Sequence, residues 1–128
     1  MNSIKFIPTK VHGALDYIVA IALIFAPMIF GFQSVGGAAV IVPIVLGIGL
    51  IAYSLLTNYE WGLIKVLGMP YHLIVDVIAS LFLIASPFLF GFISEAPNAW
   101  VPHVVVGIAV ILVVLCSKSQ PGYAKTVR

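Results

Sequence analysis

Charge is what this chain has least of. Six Lys or Arg and four Asp or Glu stand among 128 residues, where a soluble domain of that length carries about thirty charged side chains. A small globule must cover much of its surface with polar groups, so an ordinary water-soluble domain is excluded. One cysteine excludes a disulfide scaffold. A net charge of +2 from scattered lysines makes no basic stripe, so no nucleic-acid partner is expected. The chain also lacks a phosphate-binding glycine loop, a nucleophile elbow and a histidine close in sequence to Cys116. No enzymatic activity is therefore expected and no soluble substrate is identified.

What remains is apolar. Hydrophobic residues make up 62% of the chain and mean hydropathy is +1.22, which excludes disorder and makes the lipid bilayer the expected surroundings. Four apolar runs stand out, at about Ala14 to Phe32, Ala38 to Leu56, Leu73 to Phe92 and Trp100 to Cys116. Each approaches the roughly 20 residues that a helix needs to cross the hydrocarbon layer. Continuous runs of this length predict helices, since barrel strands would alternate over about ten residues. The first run is expected to be retained as a span and not cleaved as a signal peptide, because it has a counterpart deep in the chain. Basic residues give the orientation. Lys5, Lys10, Lys65, Lys118, Lys125 and Arg128 all flank one set of helix ends, while the opposite turns, 33–37 and 93–98, carry only Glu95. The expected localisation is a prokaryotic cell inner membrane, multi-pass, with both termini cytoplasmic.

Displacing the sequence by 60 residues aligns 12–57 with 72–117 at 16 identities in 46 positions. Aliphatic matches are cheap in such a chain, but His12/His72, Asp16/Asp76, Pro27/Pro87, Gly31/Gly91 and Gly47/Gly107 also recur in register. The predicted architecture is all-α: one membrane domain, 1–128, forming a four-transmembrane-helix bundle of two tandem hairpins, repeat one about 12–57 and repeat two about 72–117. With two spans per unit, both copies enter the membrane from the same side, which makes the repeat parallel and places paired residues at equal depth. Pro27 and Pro87, one turn before Gly31 and Gly91, should kink and end the odd helices. Pro102 is placed at the start of the fourth helix and Pro43 is read as delaying or bending the second. Gly47 and Gly107 are expected to let the second and fourth helices approach closely, and small-residue faces such as Ala22 to Ala26 suggest a homo-oligomer.

Ser86-Pro87-Phe88, followed by Leu89-Phe90-Gly91-Phe92, Asn98-Ala99-Trp100 and a helix centred on Gly107, resembles the SPW-repeat family of small prokaryotic membrane proteins. The third position of the family's Ser-Pro-Trp motif is Phe88 here, and the first copy, Ala26-Pro27-Met28, keeps only the proline. The resemblance implies an integral membrane protein with paired spans and leaves its activity open.

The pattern that carries chemistry is His-x-x-x-Asp, present as His12/Asp16 and His72/Asp76. Residues four apart share a helix face, and a carboxylate near the hydrocarbon edge should face a partner or a wet cavity. Three readings follow. The leading one is a structural clamp in which His12 meets Asp76 and His72 meets Asp16 across the repeats. The second is a proton or ion pathway, for which Tyr17, Tyr53, Ser54, Ser80, Ser86 and His103 are the other polar groups available. The third is a divalent metal, or a haem between His12 and His72, with no cofactor assigned. Thr57 to Trp61 reads as an interfacial belt, and His103 as a histidine bonded to loop carbonyls near a helix start.

Overall fold

The computed structural model describes residues 4–123, so Lys125 and Arg128 lie outside the described residues. Four helices follow in order: α1 (Thr9–Ile29), α2 (Gly37–Leu55), α3 (Met69–Leu89) and α4 (Pro97–Leu115). Each is long and apolar enough to cross a membrane, at about 30 Å from a rise of 1.5 Å per residue. Every bound of α1 and α2 recurs sixty residues later in α3 and α4.

The odd helices begin four or five residues before their apolar runs. Their first turns are mixed in polarity, so hydropathy alone passes over them, yet Pro8 and Gly68 are extended and the helix begins directly behind them. His12 and His72 are thereby helical, not flanking. At the far end, Phe30 and Phe90 are the C-caps, and Gly31 and Gly91 take the left-handed backbone, at φ +72° and +76°, that closes such a turn. Phe32 N–H donates to the Pro27 carbonyl at 2.9 Å.

Three expectations about proline and glycine are corrected. Proline at the start of α4 is Pro97, and Pro102 lies inside the helix. The helix takes up the polar stretch Pro97-Asn98 because a first-turn proline has no bonded N–H to lose. Of the two readings of Pro43, a late start of α2 is excluded, since the helix begins at Gly37 and carries Pro43 within it. Gly47 and Gly107 do not join α2 to α4. A Cβ on Gly47 would lie 2.7 Å from the Ala20 carbonyl oxygen, and one on Gly107 would lie 2.9 Å from that of Ser80. The close approaches are therefore α1 to α2 and α3 to α4, within each hairpin, where the turn already holds the two helices side by side. Between hairpins, α2 packs on α3 more extensively than α1 on α4.

Polarity is inverted relative to a soluble protein. Ile18, Ile21, Phe25, Ile41, Ile48, Ile78, Leu81 and Leu112 point outward, while His12, Asp16, Ser54, His72, Asp76, Ser80, Ser86 and His103 are buried. Such a surface belongs in lipid. The interior is layered. Ala26, Phe32, Ala39, Phe92 and Ala99 form a cluster near the turns, and Leu23, Val42 and Leu83 form an apolar layer next to it. His103 packs against Phe32 and Phe92 and donates from Nε2 to the Ala39 carbonyl at 3.1 Å. It serves a carbonyl within α2, not one in a loop.

At the opposite end the chain closes on itself. Leu67 N–H donates to the Leu56 carbonyl and Asn58 N–H to the Leu67 carbonyl, both at 2.7 Å. In the same pattern Ile7 N–H donates to the Cys116 carbonyl and Lys118 N–H to the Ile7 carbonyl, both at 2.9 Å. The segments flanking the bundle thus imitate the connector between hairpins, and Lys5, Lys10, Lys65 and Lys118 lie at this one end.

Candidate functional site

The helix ends beside this closure bring the four predicted residues together. His12 and His72 sit in the first turns of α1 and α3, with Asp16 and Asp76 one turn further in, and all four are buried. Within each helix, His12 Nε2 lies 3.2 Å from Asp16 Oδ1 and His72 Nε2 lies 3.3 Å from Asp76 Oδ2. Between hairpins the approaches are closer, at 3.0 Å for His12 Nε2 to Asp76 Oδ2 and 3.0 Å for His72 Nε2 to Asp16 Oδ2. The two imidazoles stand edge to face with centroids 5.3 Å apart.

The outward ring nitrogens fix the tautomer. Ser117 Oγ donates its proton to the Val113 carbonyl and Thr57 Oγ1 donates to the Tyr53 carbonyl, each at 2.6 Å. A hydroxyl has one proton, so each can only accept from the imidazole beside it. His12 Nδ1 therefore donates to Ser117 Oγ at 2.8 Å, and His72 Nδ1 to Thr57 Oγ1 at 2.7 Å. Both Nε2 atoms are left facing the two carboxylates. Although His72 Nε2 is near both, it has no hydrogen-bond partner in good geometry. Its contacts are close approaches lying off the ring's bonding direction.

Two tyrosines complete the shell. Tyr53 O–H donates to Asp76 Oδ1, and Tyr59 O–H donates to Asp16 Oδ2 at 2.6 Å. Burial first, and then the Asp16 carboxylate it faces, push the Tyr59 phenol well above its ordinary range, so it remains a donor. Below Tyr59, Lys65 Nζ donates to the carbonyls of Tyr59 and Gly62, tying the connector together. Glu60 beside it accepts from Thr9 Oγ1 at 2.7 Å and from Gly122 N–H at 2.9 Å. Burial alone would raise the Glu60 pKa, but the Thr9 hydroxyl, backbone N–H groups and the Lys10 charge outweigh it and hold the pKa low. Trp61 is the part of this segment that behaves as a belt residue, half-exposed, with its indole N–H on the Lys10 carbonyl at 2.8 Å.

A family model described as the SPW repeat domain matches residues 10–117. The chain belongs to the SPW repeat family. The matched region opens two residues before His12 and closes on Ser117, so both imidazoles, both carboxylates and both hydroxyls lie within the SPW repeat domain. Ser86-Pro87-Phe88 forms the last turn of α3, where Ser86 Oγ donates to the Leu83 carbonyl at 2.8 Å. The motif that identifies the SPW repeat is thus at the opposite end of the bundle from the His/Asp cluster. No curated protein and no solved structure matches the chain.

Sequence reasoning missed Tyr59, Thr57 and Ser117 as members of the cluster. For two of them a signal existed. Thr57 and Ser117 are the last pair in the sixty-residue register, a hydroxyl aligned with a hydroxyl. Tyr59 had none, because its place depends on how the connector folds back.

Proposed function

We propose that this is a multi-pass protein of a prokaryotic inner membrane, with both termini cytoplasmic, in which the His/Asp cluster locks two duplicated hairpins in register. Its role is that of a structural or accessory membrane protein, not an enzyme. The observation that carries this is the reciprocity of the cluster. His12 of the first hairpin reaches Asp76 of the second, and His72 of the second reaches Asp16 of the first, each at 3.0 Å. Aliphatic surfaces in lipid discriminate poorly between registers, whereas a buried polar set penalises every register that separates its members. The clustering of Lys5, Lys10, Lys65 and Lys118 at one end supports the orientation. A continuous proton or ion route is less well supported, because Leu23, Val42 and Leu83 form an apolar cluster in the interior and His103 is packed against Phe32 and Phe92.

Replacing both His12 and His72 with Leu leaves two buried carboxylates without their partners and should destabilise the protein by about 3–5 kcal/mol. Unfolding in detergent measures it. A double variant as stable as the wild type would overturn the clamp. For orientation, in a Cys116→Ser background, an impermeant thiol reagent added to intact spheroplasts should label a Ser94→Cys variant and spare a Ser119→Cys variant. The reverse pattern would invert the topology.

A further inference from the structure

We infer that the same cluster is a closed, tetrahedral site for a divalent metal ion of the zinc class, held by His12 Nε2, His72 Nε2 and one oxygen each of Asp16 and Asp76. This goes beyond the clamp, which needs no ion, and rests on its geometry. Two imidazoles and two carboxylates are a ligand set of the right type and number for zinc. One ligand atom from each residue lies within 4.8 Å of all the others, and these four form a group of this kind among the described residues. His12 Nε2 and His72 Nε2 lie 3.0 and 3.3 Å from Asp76 Oδ2, and His72 Nε2 lies 3.0 Å from Asp16 Oδ2, close to the edge of about 3.3 Å of a tetrahedron with bonds of about 2.0 Å, while His12 Nε2 meets the other Asp16 oxygen, Oδ1, at 3.2 Å.

Hydrogen bonds of ordinary length would give similar edges, so the distances do not decide the matter. The shell around them does. Each imidazole has its Nδ1 proton committed to a hydroxyl whose own proton is committed to a helix carbonyl. That arrangement fixes the tautomer in which Nε2 is the basic nitrogen, and it is how proteins orient metal-ligating histidines. Each carboxylate also receives a tyrosine O–H on one oxygen. The sixty-residue register pairs the two hydroxyls, Thr57 and Ser117, whereas Tyr53 and Tyr59 come from α2 and the connector.

A second observation points the same way. His72 Nε2 is fully buried, is aimed into the group, and lacks a hydrogen-bond partner there. A buried nitrogen left in this condition is costly unless something else occupies its lone pair. Charge agrees with a divalent occupant. Two buried carboxylates bring −2, two neutral imidazoles bring none, and one divalent ion makes the set neutral without adding protons at Nε2. A crevice of about 270 Å³ between α1 and α4 reaches His12, Asp16 and Asp76, its other walls being aliphatic, among them Leu15, Val19 and Leu50. A haem fits poorly, since rings in edge-to-face contact at 5.3 Å leave no slot for a macrocycle between them.

All four positions are filled by protein, so the ion would be structural, not one that activates water. The test uses full-length protein made without a histidine tag, stripped with chelator, then dialysed against zinc or cobalt(II). The wild type should retain about one ion per chain, and the cobalt form should show the visible absorption of tetrahedral coordination. His72→Gln and Asp16→Asn should lose retention. Because those variants can fail to fold, Ser117→Ala and Thr57→Ala serve as the second arm. They keep all four ligands and free the Nδ1 protons, and should weaken zinc binding by about 10–100-fold. Wild-type protein that holds less than about a tenth of an equivalent of either ion overturns the proposal. If that failure accompanies a large stability loss in the metal-free His12→Leu/His72→Leu variant, the clamp survives without the metal. Stoichiometric zinc with no stability loss in that variant would leave the metal and remove the clamp.

Discussion

Replacing His103 with Leu should show that a histidine in the second hairpin repairs a defect in the first. Pro43 has no N–H, so the carbonyl four residues earlier, that of Ala39, has no donor from its own helix. Ala39 is fully buried and water cannot substitute. His103 Nε2 lies 3.1 Å from that oxygen and donates to it. His103 is also the residue aligned with Pro43 in the sixty-residue register. Leaving a buried carbonyl unpaired costs about 1–3 kcal/mol. Leu keeps part of the packing between Phe32 and Phe92, whose rings lie 5.7 and 4.8 Å from the imidazole. The expected loss for His103→Leu is therefore about 2 kcal/mol. Pro43→Ala restores the missing N–H, and in that background the carbonyl no longer depends on His103. The same His103→Leu change should then cost about 1 kcal/mol less. Equilibrium unfolding of the four proteins in mixed micelles measures the coupling. Effects that add within about 0.3–0.5 kcal/mol would refute the link between the proline and the histidine.

Gly107→Leu should destabilise by about 1–3 kcal/mol, because its Cβ would fall 2.9 Å from the backbone oxygen of Ser80, while Gly49→Ala, with nothing within 4 Å, should be neutral or mildly stabilising in the same unfolding assay. A tolerated Gly107→Leu would remove the argument for close packing within hairpins. Glu60 should make part of the stability acid-sensitive. Its folded pKa is depressed, so its contribution is present above the unfolded value of about 4.3 and is lost as pH falls through the lower folded value. Wild type should lose more stability between neutral pH and that range than Glu60→Gln does, and parallel pH curves would contradict this.

The number of helices and their pairing into hairpins were legible because hydropathy in a bilayer is a strong, one-dimensional signal and the sixty-residue correspondence shows it twice. The same register put His12, Asp16, His72 and Asp76 at one depth, and the four-residue spacing put each pair on one face. Depth is only one coordinate of a helix surface, however. Gly47 and Gly107 share a depth, which suggests a contact between α2 and α4, but their direction around each helix points them at α1 and α3. The apolar run begins near Pro102 and points to a helix start there, whereas the helix itself starts earlier, in the polar residues Pro97 and Asn98. Tyr59 enters the cluster only through the fold of the connector, held by Lys65 and by the bonds between Leu56, Asn58 and Leu67. No local pattern encodes that closure. Thr57 and Ser117, by contrast, could have been found, since their alignment at the end of the repeat mirrors that of the histidines they hold.

The central claim is that the cluster joins one hairpin to the other, and the His12 to Asp76 pair tests it most directly. Both side chains are buried, they come from different hairpins, and His12 Nε2 lies 3.0 Å from Asp76 Oδ2, where in the absence of an ion a second ring proton on Nε2 makes the bond. The measurement is a double-mutant cycle of His12→Leu and Asp76→Asn, unfolded in chelator-treated detergent so that no ion contributes. The account predicts a coupling of roughly 0.6–2 kcal/mol, with the double variant less damaged than the sum of the singles. Additive losses, within about 0.3 kcal/mol, would contradict it.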